Sequence, residues 1–286
     1  MTNVRDIKYG NTKLKIKRFD IKGMAEHATI AMIAKRASGK SYLTREILFH
    51  NRHIPTTLVI SKTEKLNKFY GNFVPDIYIY NEYNNTILSK IYDRQARLSE
   101  DNTRRKQEGK KLKDDRLMLI MDDCMSSKGS WVKEQQILEL FFNGRHHHVS
   151  FILTMQFALG IPPEMRSNFD YIFLLAEDFI TNRKRLYEHY AGMFPTFDVF
   201  QQVFSEITQD YGVMVINNRV HSTDITQKVF WYKAKDTPDF TVGNKRYKKF
   251  HKSKYNKEWD KRVDIFNPEF LTKKKNKVNF TIEKIK

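Results

Sequence analysis

The sequence Ala-Thr-Ile-Ala-Met-Ile-Ala-Lys-Arg-Ala-Ser-Gly-Lys-Ser occupies residues 28–41, near the amino end of the chain. It begins with an apolar run that contains Ile30, Met32 and Ile33, and such a run predicts a short buried strand. The apolar positions of the next segment, residues 42–50, recur at helical spacing. A strand, a loop of small residues that ends in Gly-Lys-Ser, and a helix are the arrangement of a phosphate-binding loop.

Each part of such a loop has its own contact with a nucleotide. We expect the backbone N–H groups to point at the phosphates, Lys40 to reach the β- and γ-phosphates of ATP, and the Ser41 hydroxyl to bind Mg²⁺. The residues expected to contact the nucleotide are Ala34, Lys35, Arg36, Ala37, Ser38, Gly39, Lys40, Ser41 and Tyr42. Ala34 replaces the usual first glycine, which helps the turn but does not carry the chemistry. The alternative is a chance Gly-Lys-Ser in a basic protein, and the flanking strand and helix argue against it.

A second motif, Leu-Met-Leu-Ile-Met-Asp-Asp at residues 117–123, predicts a strand buried on both faces with two acids at its carboxyl end. This is the pattern of a Walker B strand. We expect Asp122 to hold Mg²⁺, through water, and Asp123 to orient and polarise the attacking water. An acidic turn after a core strand is the alternative, and the preceding phosphate-binding loop makes the Walker interpretation the stronger one.

Residues 149–155 form a further predicted strand that Gln156 closes. In sheets where an additional strand lies between the Walker A and Walker B strands, this strand is the inserted one. Its carboxyl end would bring Gln156 between the phosphates and Asp123, where an amide can sense the γ-phosphate or position water. A residue that hydrogen bonds at the end of a strand is the alternative interpretation.

Arg145 precedes the same predicted strand, in the sequence Asn-Gly-Arg-His at residues 143–146. It should therefore lie at the opposite edge of the sheet from the nucleotide of its own chain. If Arg145 acts in catalysis, it must act on a neighbouring subunit as an arginine finger. A surface arginine that caps a helix is the alternative.

Composition divides the chain at residue 242. The formal net charge is +18, and residues 242–286 hold 15 lysines and arginines against 5 acids, so +10 of that charge lies in this segment. Aromatic residues, among them Tyr247, Phe250, Tyr255 and Trp259, are interleaved with the charge. We expect an ATPase domain at 1–241 and a basic tail at 242–286, which can hold phosphates with its cations and stack on bases or sugars. A flexible, solvated tail is the alternative.

The flanking sequence adds expectations about the sheet and the setting. Residues 12–20 alternate apolar and basic positions and predict an edge strand that extends the sheet ahead of the loop. The single cysteine, Cys124, is compatible with a reducing compartment. No apolar run is long enough to span a bilayer, and residues 1–10 lack a signal-peptide core, so we expect an intracellular protein without membrane contacts.

Together these spaced elements resemble a known family. The loop at 34–41, the strand that ends in Asp122 and Asp123, residues 143–146 before the strand that ends in Gln156, and Arg-Ser-Asn-Phe-Asp-Tyr at 166–171 are similar to the poxvirus-type genome-packaging ATPases. These ATPases belong to the FtsK–HerA branch of P-loop NTPases and occur in large DNA viruses. The resemblance covers roughly residues 25–220.

This resemblance implies an α/β, RecA-like P-loop fold with a central, mainly parallel sheet flanked by helices. It also implies an oligomeric ring that uses ATP and Mg²⁺ to translocate double-stranded DNA into a preformed capsid, at a portal or vertex protein. By the same similarity, Gln156 would be a sensor and Arg145 the trans-acting finger. The expected place is the host cytoplasm or viral factory, with association with the virion also open.

Two other functions stay open from the sequence alone. A P-loop nucleoside or nucleotide kinase would need an arginine-rich lid and an acceptor pocket, whereas this chain offers paired acids and a basic tail. A nucleotide-dependent scaffold that binds nucleic acid is motivated only by Ala34. Stimulation of ATP hydrolysis by DNA would separate the packaging motor from both.

Overall fold

The computed structural model describes residues 4–9, 12–124 and 131–257 of the 286-residue chain. The described strands, in chain order, are β1 (Val4–Tyr9), β2 (Thr12–Lys17), β3 (Thr29–Ile33), β4 (Thr56–Ser61), β5 (Ile79–Tyr80), β6 (Leu117–Asp122), β7 (Val149–Met155), β8 (Tyr171–Leu174), β9 (Gly212–Asn217) and β10 (Val229–Lys233). The described α-helices are α1 (Lys40–His50), α2 (Glu64–Asn67), α3 (Asn85–Gln107), α4 (Gln135–Asn143), α5 (Pro163–Arg166), α6 (Ile180–Tyr190), α7 (Phe197–Ile207), α8 (Ile225–Lys228) and α9 (Lys245–Lys254).

Strands β3 to β10 form one eight-stranded sheet in the order β10-β9-β8-β3-β7-β6-β4-β5. Neighbouring strands are parallel from β8 to β5, and only the pairs made by β9 are antiparallel. Strand β7 lies between β3 and β6, so the predicted inserted strand is confirmed. Because β3, β6 and β7 run in the same direction, their carboxyl ends meet at one edge of the sheet.

Both faces of the sheet are covered, which explains why its central strands are almost continuously apolar. Every residue of β3, β6 and β7 is buried. Helices α3, α4, α6 and α7 pack on one face, and α1 and α9 pack on the other. The predicted α/β fold with a mainly parallel sheet is confirmed. None of the helices in the described part of the chain is long and apolar enough to cross a membrane.

The predicted edge strand at residues 12–20 does not extend this sheet. Instead β2 pairs with β1 as an antiparallel hairpin, in a register that places Tyr9 opposite Thr12. The hairpin contacts the main sheet at β10, where the Arg5 guanidinium lies 4.3 Å from the centroid of the Trp231 ring. Just after β2, Arg18 bridges to Trp231 and the Phe19 N–H donates to the Trp231 carbonyl at 2.9 Å. The reason is local, because a partner strand two residues away costs little loop entropy to pair. Alternation alone shows that a strand has one wet face and does not identify its partner.

The folded unit continues beyond residue 241. Val242 is fully buried, and its N–H donates to the Phe73 carbonyl at 3.0 Å. On α9, the Tyr247 ring stacks on Tyr78 with centroids 3.8 Å apart, and its hydroxyl donates to the Thr57 carbonyl at 2.6 Å. The first part of the predicted basic tail therefore packs on the domain, and Tyr247 is the aromatic residue of α9 that is buried in this contact. Residues 258–286, including Trp259, lie outside the described residues.

Candidate active site

The loop between β3 and α1 has a backbone conformation that requires a glycine at its end. Gly39 has φ 96°, in the left-handed region, and the helix begins at the next residue, Lys40. Ala34 has no positive φ, is buried, and donates its N–H to the Met155 carbonyl at 2.9 Å. An alanine at this position therefore costs no backbone strain, because the turn does not need a left-handed residue there.

The loop forms one wall of a cavity of about 870 Å³. All the predicted nucleotide-binding residues except Ser38 line this cavity. Ser38 is buried, and its hydroxyl donates to the Lys35 carbonyl at 2.7 Å. This hydrogen bond stabilises the conformation of the loop. The cavity residues outside the loop are Thr63, Asp123, Gln156, Tyr211, Val213, Lys233, Ala234 and Asp236. The cavity thus joins the ends of β6, β7 and β10 to the phosphate-binding loop.

Lys40 lies between the two Walker acids. Its Nζ is 3.0 Å from Oδ1 of Asp122 and 3.5 Å from Oδ2 of Asp123. The lysine and both acids are largely shielded from water, with side-chain exposures of 20%, 10% and 21%. Because screening by water is weak there, the lysine offsets the repulsion between the carboxylates. A bound triphosphate would present Lys40 with a more highly charged partner.

The Asp122 carboxylate is held by several neutral donors. Thr154 on β7 donates its hydroxyl to Oδ1, and Ser61 at the end of β4 donates to Oδ2 at 3.3 Å. Tyr70 also hydrogen bonds to Asp122, and burial, followed by the charges of Asp122 and Glu64, raises the pKa of its phenol well above the usual value. Tyr70 is therefore a neutral donor at any pH at which the protein works. These donors fix the orientation of Asp122.

Asp123 and Gln156 contact each other directly, as the inserted strand predicts. The Gln156 amide donates to Oδ2 of Asp123. Asp123 has φ 54°, a conformation that is uncommon outside glycine, and its N–H donates to the Thr154 hydroxyl at 3.2 Å. This backbone turns the Asp123 side chain out of the strand direction and into the cavity. Residues held this way cluster at functional sites.

The donors fit Mg²⁺. A protein site for this ion usually combines one or two hard oxygen ligands with phosphate oxygens and water. Ser41 is exposed in the cavity, and the Asp122 carboxylate lies beside Lys40 at its base. Both predicted metal residues therefore carry oxygen donors at the place where phosphates would meet the Walker B strand.

Arg145 lies at the other edge of the sheet. Its guanidinium is 3.9 Å from Oδ1 of Asp170, just before β8, and its side chain is 45% exposed. The same oxygen accepts a hydrogen bond from Arg219 at 3.0 Å, and the other accepts from the Thr29 N–H at 2.9 Å. Thr29 and Asp170 stand at the amino ends of β3 and β8. Arg145 is thus separated from the nucleotide cavity of its own chain by the length of the strands.

Three residues of the site were missed from the sequence, and their signals differ. Thr154 is a polar residue near the carboxyl end of an otherwise apolar strand, next to Gln156, and this placement could have been read. Tyr70 reaches Asp122 from a separate loop, so nothing local to the Walker motifs points to it. Tyr211 is a single aromatic residue before β9, and only the topology brings it to the cavity.

The sequence and the fold are similar to those of known proteins. Residues 16–241 match the family model described as Poxvirus A32 protein. The chain belongs to this family. The family predicted from the motifs is thereby confirmed, together with the predicted ATP hydrolase. The match ends at residue 241, so α9 and the rest of the basic segment lie outside it.

Relatives of this A32 family member occur in large DNA viruses. The chain is 43% identical over 247 residues to protein L437 of Acanthamoeba polyphaga mimivirus, which covers 86% of each chain. It is 39% identical over 207 residues to protein 088R of Invertebrate iridescent virus 3, covering 72% of this chain and 75% of the relative.

The fold is similar to that of the genome packaging NTPase B204 from Sulfolobus turreted icosahedral virus 2. The complex of B204 with AMP has a TM-score of 0.51 at 15% identity and covers 74% of this chain and 100% of that chain. The complex with sulfate also has a TM-score of 0.51 at 15% identity, and it covers 75% and 100%. At this identity the likeness shows the fold, and it agrees with the predicted P-loop architecture.

Proposed function

We propose that this A32 family member is an ATP-driven motor that translocates double-stranded DNA and packages a viral genome into a preformed capsid. One observation carries the proposal. The ends of three parallel strands bring Asp123 and Gln156 to the cavity of the phosphate-binding loop and place Asp122 3.0 Å from Lys40, in a chain of the poxvirus A32 family. The same arrangement supports ATP as the nucleotide, with Mg²⁺ as its metal.

The mechanism we propose relies on positioning and on charge stabilisation. The N–H groups of the loop and the start of α1 would hold the phosphates, and Lys40 would leave the acids to pair with them. Mg²⁺, held by Ser41 and Asp122, would neutralise charge on the phosphate oxygens. Asp123 would then be released by Lys40 to accept a proton from, and orient, the attacking water. The Gln156 amide would fix Asp123 and respond to the γ-phosphate.

We further propose that Arg145 completes the site of a neighbouring copy. It lies at the amino edge of the sheet, half exposed, and Asp170 holds it only at 3.9 Å. A guanidinium in this position can reach a phosphate only on another molecule, which supports a closed ring of identical subunits. Arg219, paired with the same Asp170 carboxylate, holds that acid in place and leaves Arg145 available.

The DNA contact we propose is the basic segment that starts on α9. This helix carries five exposed cations, namely Lys245, Arg246, Lys249, Lys252 and Lys254. It carries no acid, and Tyr247 anchors it to the domain. Fixed cations of one sign favour the phosphate backbone and bind without reading sequence, as a packaging motor requires. A capsid portal or vertex protein is the proposed second partner, in the host cytoplasm or viral factory.

Steady-state ATP hydrolysis, with and without long double-stranded DNA at low salt, tests the proposal. We expect DNA to stimulate hydrolysis by wild type and Lys40→Ala to lose about 100- to 1,000-fold under both conditions. Hydrolysis that ignores DNA but rises with an added nucleoside would support the kinase, which the family match does not favour. Nucleotide binding without turnover in either condition would support the scaffold.

A further inference from the structure

The cavity beside the phosphate-binding loop has a wall that the mechanism above does not use. Tyr211, Val213, Lys233, Ala234 and Asp236 form this wall. Tyr211 precedes β9, Val213 lies within it, and the other three come from the end of β10 and the residues after it. Both strands lie on the β8 side of β3, whereas the Walker acids lie on the β7 side. In the proposed mechanism the triphosphate binds the loop and the acid side, which leaves this wall to the rest of the nucleotide.

The backbone before β9 is built to hold Tyr211 in one place. Asp210 has φ 48° and Tyr211 has φ 58°, and they are the only consecutive pair of non-glycine residues with positive φ in the described parts of the chain. Such a conformation is unfavourable for a tyrosine and persists only when its surroundings impose it. Gly212 permits the close approach of this turn to the end of α7, because a Cβ at Gly212 would lie 1.9 Å from the Ile207 carbonyl oxygen. Lys233 also pairs with the Asp210 carboxylate.

The result is an exposed ring at the mouth of the phosphate-binding loop. Tyr211 is 63% exposed, although it is large and aromatic. An ideal Cβ placed on Gly39 would lie 3.5 Å from Cδ1 of this ring, so the ring stands in van der Waals reach of the loop. An aromatic face that is fixed, uncovered and next to the phosphate site has the features of a platform for a nucleotide base.

We propose that Tyr211 is the platform on which the base of the bound nucleotide stacks. The proposal rests on the nucleotide binding proposed above and deepens it by assigning the base-binding wall. Stacking is tolerant of base identity but stronger for a larger ring system, so the platform favours purines over pyrimidines. Tyr42, 61% exposed on the first turn of α1, lines the same cavity and is the alternative aromatic partner.

The test separates binding of the base from binding of the phosphates. Equilibrium dialysis with Mg²⁺ would measure the affinities of β,γ-methylene ATP and of inorganic tripolyphosphate, which lacks a base. The proteins are wild type, Tyr211→Ala, Tyr211→Phe and Tyr42→Ala, which removes the alternative aromatic partner. We expect Tyr211→Ala to weaken binding of the ATP analogue by about 10-fold and to leave tripolyphosphate binding unchanged. Tyr211→Phe should bind both as wild type does.

Three results would overturn the assignment. Unchanged affinity of Tyr211→Ala for the analogue would exclude stacking on this ring, and a selective loss in Tyr42→Ala would transfer the role to Tyr42. An equal loss of analogue and tripolyphosphate would mean that Tyr211 only shapes the loop. In these cases the proposed ATPase stands. If wild type binds neither ligand, the proposed function fails and the assignment fails with it.

Discussion

The two edges of the central sheet carry charge in opposite ways. At the carboxyl edge, Lys40 is enclosed between Asp122 and Asp123, and all three side chains are largely shielded from water. At the amino edge, Arg145 and Arg219 share the single acid Asp170, and each arginine is 45% exposed. At the carboxyl edge, the charged side chains pair with one another beside a cavity. At the amino edge, two partly exposed arginines share one carboxylate, so positive charge is left facing outward. We infer that the first binds the chain's own nucleotide and that the second serves another molecule.

The sharpest way to break this comparison is Arg145→Ala. An arginine finger contributes about 1,000-fold or more to hydrolysis, so we expect at least that loss of ATPase activity with ATP affinity unchanged. Mixing with Lys40→Ala should restore activity, because a mixed ring joins an intact cavity to an intact finger. Arg219→Ala is the matched control and should lose far less. Activity that mixing does not restore would contradict a role in trans.

At the carboxyl edge, Lys40→Ala should lose about 100- to 1,000-fold in hydrolysis, since one charged donor is removed from the transition state. Its ATP affinity should fall too, unlike that of Arg145→Ala. Lys35→Ala is the control from the same loop, because Lys35 pairs with the exposed Asp178 and has no Walker acid as partner. Equal losses in the two lysine variants would show that the loop attracts phosphate only by its net charge.

The orientation of the Walker acids can be tested at Thr154, whose hydroxyl bonds both to Asp122 and to the N–H of Asp123. Thr154→Val keeps the shape but leaves both groups short of a partner, so hydrolysis should fall about 10-fold and the free energy of unfolding by about 1–3 kcal/mol. Thr154→Ser keeps the hydroxyl and should retain both the hydrolysis rate and the free energy of unfolding of wild type. Urea unfolding and steady-state rates measure the two effects, and a fully active Thr154→Val would show that Asp122 needs no such support.

The proposed DNA surface predicts a smaller effect. Replacing Lys249, Lys252 and Lys254 on α9 by glutamine should weaken DNA binding and leave basal hydrolysis unchanged. The slope of log affinity against log salt should decrease by about 0.9 for each lysine that contacts a phosphate. The control triple of Lys106, Lys110 and Lys111, at the end of α3 and in the segment after it, removes the same charge elsewhere. If both triples act alike, DNA binding follows overall charge and α9 has no special part.

The smallest expected effect is on pH dependence at the amino edge. His27 stacks on His148 with centroids 4.8 Å apart and faces Glu26, Asp115 and Arg116. Burial, followed by the His148 charge, lowers the pKa of His27 below its usual value of 6.5. The unfolded chain therefore binds the proton more readily, so the stability His27 contributes is complete above pH 6.5 and is lost as pH falls.

Urea unfolding at pH 7.5 and 5.5 measures the pH-dependent stability that His27 contributes. His27→Asn suits the left-handed backbone at this position, where φ is 56°. The variant should lose less stability between the two pH values than wild type does. An identical loss would show that His27 does not titrate differently in the folded protein.

The central strands could be predicted from the sequence more fully than the peripheral elements. Strands β6 and β7 begin and end where their apolar runs predict, because strands buried on both faces leave a continuous signal. The inserted position of β7, and hence the Gln156–Asp123 contact, was also predicted. The hairpin of β1 and β2 was not, since pairing depends on which partner is nearest. Helix α9 packs through residues such as Tyr247, which the strongly basic composition of the segment does not reveal.

Within the site, the residues that act on phosphates could be predicted because their spacing along the chain is fixed by one loop and one strand. The residues that support or extend the site come from elsewhere. Tyr70 reaches Asp122 from a loop after β4, and Tyr211 reaches Gly39 from the turn before β9. Contacts of this kind join segments far apart in sequence and need the topology of the sheet to be known.

The central claim is that ATP hydrolysis at the carboxyl edge moves double-stranded DNA. The most direct measurement is displacement of a fluorescent third strand from a triplex site on linear double-stranded DNA, followed in time after ATP is added. The account predicts that wild type displaces the strand with a delay that grows with the distance of the site from the DNA end. Lys40→Ala should not displace it. DNA-stimulated hydrolysis without any displacement would contradict the account, because the protein would then hydrolyse ATP without translocating along DNA.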